Sequence, residues 1–97
     1  MPTYIGLTRY TQQGIATIKN SPARLDGARA AFAPLGVTIR EFFLVSGSYD
    51  LVLICEAPDD ASMARAALLL GSHGNVRSET FRAFTEAEYR SLLTSLP

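Results

Sequence analysis

The unbroken apolar run Leu51-Val52-Leu53-Ile54-Cys55 constrains this chain more than any other stretch. Successive strand residues face opposite ways, so a strand that is apolar at every position asks for burial on both faces. The run follows Ser46-Gly47-Ser48, where Gly47 can take a positive φ at no steric cost. A hairpin is therefore expected, with strands over about 37–45 and 49–56. Helices should cover one of its faces. The chain supplies no evident cover for the other, and a second copy is the simplest candidate.

The flanking segments supply the rest of a sheet. Residues 3–10 alternate and are rich in β-formers, which predicts a first strand. Thr11 suits a helix cap, and Asn20-Ser21-Pro22 then breaks and restarts the helix, with Ser21 expected as the second cap. Leu25, Ala28, Phe32 and Leu35 form one stripe of it, and Pro34 and Gly36 end it. Asp59 caps a further helix, whose buried side is expected at Met63, Ala64, Ala67, Leu68 and Leu70, with Gly71 or Gly74 as its stop. Residues 75–84 alternate as a last strand. Thr85 and Glu88 make a capping box for a final helix with Tyr89, Leu92, Leu93 and Leu96 on one stripe.

The order is β-α-β-β-α-β with an extra C-terminal helix, the ferredoxin-like pattern of α+β domains. One domain over residues 1–97 follows, with strand order 4-1-3-2 and the helices on one face. Two such sheets are expected to pack face to face as a dimeric α/β barrel.

Composition narrows the function. Nine basic and nine acidic residues cancel, and no basic face is visible, which argues against nucleic acid and anionic membrane surfaces as partners. No apolar run reaches membrane-spanning length, and the N-terminus lacks the pattern of a secretory leader, so a cytoplasmic location is expected. Cys55 lies inside the apolar run and reads as a small core hydrophobe rather than a catalytic thiol. A single histidine with no cysteine nearby predicts no metal site, and no cofactor motif is present.

The topology should bring the end of the first strand, the hairpin turn and the start of the last strand to one end of the domain. Arg9, Gly47, Tyr49, Asp50, His73 and Arg77 are the candidate ligand-binding residues there. Each has a structural alternative. Tyr49 and Asp50 can pack on and bond the turn, or contact a ligand as hydroxyl donor and amine partner. His73 can sit at a helix C-terminus or act as a base. Arg9, Arg77 and Arg82 can hold a carboxylate bidentately or make surface or cross-strand ion pairs, with Asp50 a partner for Arg9 and Glu79 an available partner.

Gly47, Tyr49 and Asp50, followed by Leu51-Val52, resemble the signature of the GYD domain family. Further matches lie at Thr11 to Ile15, Ser21 to Asp26, Ala57 to Asp60, Gly74 to Thr80 and Arg82 to Glu86. That resemblance implies a small prokaryotic protein of no established biochemical role. A shorter stretch, Gly47 to Val52 with Val76 to Thr80, resembles the effector-binding domain of the leucine-responsive regulators. Those domains pair through their sheets and bind amino acids between subunits. The resemblance lacks their helix-turn-helix, since this chain opens directly on a strand. The reading is a homo-oligomeric small-ligand-binding or regulatory module. A cofactor-free dimeric-barrel monooxygenase or isomerase is the enzymatic alternative, and a purely structural subunit the third.

Overall fold

Alternation decides the first strand. A computed structural model describes residues 1–97, and in it β1 (Thr3–Tyr10) buries Tyr4, Gly6 and Thr8 while Ile5 and Leu7 stay half-buried on the other face. Thr11 then ends the strand: its hydroxyl accepts from Gly14 N at 3.1 Å and donates to Gly74 O at 2.6 Å. The single-turn helix α1 (Gln12–Ala16) and a 3₁₀ turn (Ile18–Asn20) lead into α2 (Ser21–Phe32). The break expected near Ser21 is present, but the cap position falls on Asn20. Ser21 is the first helical residue, with its hydroxyl 3.5 Å from the Tyr10 hydroxyl. Gly36, at φ 76°, closes the segment.

The hairpin strands are β2 (Thr38–Leu44) and β3 (Leu51–Glu56). They precede α3 (Asp60–Ser72), β4 (Val76–Ala83) and α4 (Glu86–Thr94). The sheet is antiparallel in the order β2-β3-β1-β4. A bulge at Arg40 in β2 lets both Ile39 and Phe42, three residues apart, face the helices. The core lies on that face, where Phe32 of α2 and Met63 and Ala66 of α3 meet Tyr4, Leu53 and Cys55. Cys55 is fully buried, and burial pushes its thiol up to about 11, as suits a packing residue. On α3 the expected stripe is partly shifted. Ser62, Met63 and Ala66 are buried with Ala67 and Leu70 beside them, whereas Ala64 is exposed and Leu68 is 75% exposed.

One expectation needs correction. The sheet does not close into a barrel: it is open and uncurled, with β2 and β4 as free edges. The dimeric α/β barrel is therefore replaced by an open, roughly ferredoxin-like slab. The final helix leaves the sheet's other face uncovered, in keeping with a sequence that supplies no evident cover for it. No residue of α4 is buried, and Tyr89, Leu92, Leu93 and Leu96 all stand largely exposed. The molecule measures 52 × 32 × 17 Å, and its radius of gyration of 14.6 Å exceeds the ~13 Å of a compact chain of this size.

Two substitutions and one titration test this packing. A Cβ at Gly14 would lie 1.9 Å from the Asn75 carbonyl oxygen, whereas one at Gly27, mid-α2, would meet nothing within 4 Å. In urea denaturation, Gly14→Ala should lower stability by about 1–3 kcal/mol through overpacking. Gly27→Ala should raise it by about 0.5–1 kcal/mol through helix propensity. Burial, and then the hydrogen bond to Asp60, push the Tyr4 phenol up from 10.0 to about 12. The folded chain keeps that proton where the unfolded chain loses it, so stability should fall as pH rises from 10 to 12. Denaturation midpoints of Tyr4→Phe should fall less steeply over that interval.

Candidate functional site

The hairpin end is built around Asp50. The loop between β2 and β3 closes with Val45 N donating to Asp50 O at 2.8 Å. Asp50 N donates to Thr8 O at 2.9 Å, and the Asp50 carboxylate accepts from Tyr10 N at 2.9 Å. Asp50 thus pins the last residues of β1 after the regular ladder has ended. Gly47 forms the exposed tip at φ 153°.

Tyr49 belongs to a different group. The Arg9 guanidinium lies 4.3 Å from its ring centroid, and Arg9 Nε donates to Ser48 O at 2.6 Å. The Tyr49 hydroxyl donates to the Glu79 carboxylate, and that bond raises the phenol's pKa. Arg9 thus makes no ion pair with Asp50. Arg77 stands opposite Arg9 in the β1–β4 register, is exposed, and pairs with no carboxylate, Glu79 included. Arg9, Arg77 and Glu79 occupy the odd positions that face away from the helices.

His73 is not with them. It follows α3, its carbonyl accepts from Gln13 Nε2 at 3.3 Å, and its exposed side chain lines a cavity on the helix side of the sheet. That cavity holds about 270 Å³. Its floor is the buried sheet residues Ile39, Leu51 and Leu53, and Leu25 of α2 and Leu70 of α3 wall it. Polar groups of Tyr10, Ser21, Arg24 and Asn75 also line it. The one expected cluster is therefore divided among three places. Arg9, Tyr49 and Arg77 border the open face, Asp50 and Gly47 belong to the hairpin, and His73 joins the cavity. Sequence reasoning passed over Arg24. The available signal was its spacing: it adjoins Leu25 and lies four residues before Ala28, at the flank of the α2 apolar stripe.

The fold is thus an open α+β sheet bare on one face with a cavity on the other. The chain matches the GYD domain over residues 4–93 and belongs to that family. It is 36% identical over 89 residues to the glutamine synthetase and cystathionine beta-lyase binding protein of Thermus thermophilus. That match covers 91% of this chain and 94% of the relative. The structure is similar to the crystal structure of TTHA0845, also from Thermus thermophilus. The TM-score there is 0.56 at 26% identity, over 88% of this chain and 95% of the other. No helix is long and apolar enough to cross a membrane.

Asp50 offers a direct check on the site's construction. Asp50→Ala removes the acceptor for Tyr10 N–H and should cost about 1.5–3 kcal/mol in urea denaturation. Asp50→Asn keeps a side-chain acceptor and should cost less than half as much.

Proposed function

We propose that this chain is a homo-oligomeric binding module that pairs with a second copy through its open sheet face. The observation that carries this reading is the apolar centre of that face. Register sets Phe43, Val52 and Leu7 side by side in one row, and Ile54, Ile5 and Phe81 in the next. Phe43 is 49% exposed and Phe81 50%. Neighbouring rim positions are charged, with Glu41 and Glu79 beside the apolar rows and Arg9 and Arg77 at the hairpin end. An apolar centre within a polar rim is the usual anatomy of a protein interface. The rim carries both signs, and zero net charge leaves no overall repulsion between copies.

Arg9, Tyr49 and Arg77 act as rim groups in this reading. The Thermus relative, named as a binding protein for two enzymes, supports a binding role. Asp50, the expected amine partner, and His73, the candidate base of an enzymatic reading, lie apart: the Asp50 carboxylate bonds Tyr10 N, and His73 lies by the cavity.

Sedimentation equilibrium tests the pairing. Wild-type protein at micromolar concentration should sediment as a dimer or a larger closed assembly. The double variant Phe43→Glu, Phe81→Glu should sediment as a monomer while keeping its far-ultraviolet circular dichroism. A monomeric wild type would hand the face to another protein and overturn the reading, as would a double variant that assembles like the wild type.

A further inference from the structure

The cavity on the helix side has a chemistry that sheet-face pairing leaves unexplained. Its volume of about 270 Å³ lies just under the ~300–1,000 Å³ typical of small-molecule sites. The floor and walls are aliphatic, so a guest's apolar body would gain dispersion contacts and lose water there. Arg24 is the only permanently charged residue in its lining.

Arg24 is held in an unusual way. Its Nη1 donates to Thr17 O at 3.1 Å and to Thr17 Oγ1 at 2.9 Å, and Nη2 donates to Gly14 O at 3.1 Å. These are neutral acceptors. They occupy three of the five guanidinium N–H groups and leave two. No carboxylate pairs with Arg24, although it is half-buried. The guanidinium is therefore fixed in position, unneutralised, and provided with spare donors beside an apolar space. Hydroxyls of Ser21 and Tyr10, 3.5 Å apart, line the same cavity.

We propose that this cavity binds a small amphipathic carboxylate. Its apolar body lies on Ile39, Leu51, Leu53 and Leu25, and its carboxylate meets Arg24. An ammonium head would face an unpaired guanidinium. A dianionic head such as phosphate would bring a second charge against aliphatic walls with nothing to pair it. A monoanion with an apolar tail satisfies both the arginine and the floor. The inference goes beyond the sheet-face pairing and uses the opposite face of the sheet.

Octanoate, 1-octanol and octylamine share a chain and differ in head-group charge, so they separate the contributions. In nuclear magnetic resonance titrations of backbone amides, octanoate should shift Leu25, Ala28, His73 and Asn75. Arg24→Gln should weaken octanoate by roughly ten- to a hundredfold, the range for one charge-assisted bond, with octanol little affected. Arg24→Lys should restore part of the loss. Ala28→Leu, which fills the cavity and leaves the arginine's charge in place, should abolish octanoate binding while thermal unfolding stays cooperative. The monomeric Phe43→Glu, Phe81→Glu variant should still bind octanoate, which keeps this outcome separate from that of the pairing. Four results would overturn the proposal: no octanoate shifts at millimolar concentration, equal affinity in Arg24→Gln, octylamine binding as tightly as octanoate, or shifts confined to Phe43 and Phe81.

Discussion

Two helices cover one face of a four-stranded sheet, and this chain has no third element placed to cover the other. Everything else follows from that shortage. Leu51, Leu53 and Cys55 of β3 are buried beneath α2 and α3, while Val52 and Ile54, between them in sequence, are only half-buried on the bare side. The one remaining helix, α4, starts from a complete capping box and so forms locally, yet it buries none of its own residues. Its base is held by Arg82, which pairs with Glu88 at 3.7 Å and lies 4.4 Å from the Phe84 ring centroid. A helix anchored at one end with its apolar stripe exposed adds no core.

The Tyr-Asp pair beside the turn divides its work between the two sides. Asp50 serves the backbone: by accepting from Tyr10 N it extends the β1–β3 pairing beyond the Thr8–Leu51 step. Tyr49 serves the surface, held between the Arg9 guanidinium and the Glu79 carboxylate, and so links the hairpin to both β1 and β4. The Asp50 carboxylate accepts the Tyr10 N–H through Oδ2. The same bond explains why an aspartate is useful there, since a turn side chain that accepts from a neighbouring strand fixes the approach of the loop.

Most of the fold was legible in the sequence because its signals are local. Alternation marks β1 and β4, Thr11, Asp59 and Thr85 cap helices as their types suggest, and Gly36 and Gly74 take the positive φ that a stop requires. The strand order followed from the element order. What was illegible depends on contacts distant in sequence. The β2 bulge lies behind the spacing of Ile39 and Phe42, which alternation alone treats as a contradiction. Closure of the sheet was beyond reach because an apolar β3 reports only that both faces avoid water, and says nothing of sheet curvature. The site was only partly legible for a related reason. Topology correctly assigned Arg9, Asp50, His73 and Arg77 to one end, but which face each occupies depends on parity along the strand and on the loop after α3. Arg24, from a helix distant in sequence, reaches the cavity only because α2 crosses the sheet there.

Parity along β1 is what keeps the two surfaces distinct. Thr8 and Tyr10 look into the cavity, while Leu7 and Arg9 look out from the bare face, so adjacent residues of one strand serve separate surfaces. A register slip of one residue would exchange them, placing Arg9 among the aliphatic groups of the cavity and Thr8 on the open side. Three interactions oppose such a slip at this end: the Asp50 bond to Tyr10 N, the Thr8–Ser78 hydroxyl contact at 3.1 Å, and the Thr11 bond to Gly74 O. Each joins β1 or its continuation to a different neighbour, so the strand is held from β3, from β4 and from the loop after α3 together. The Asp50 bond to Tyr10 N is the aspartate's part in that anchoring. It secures the strand whose two sides carry the apolar face and the arginine-edged cavity.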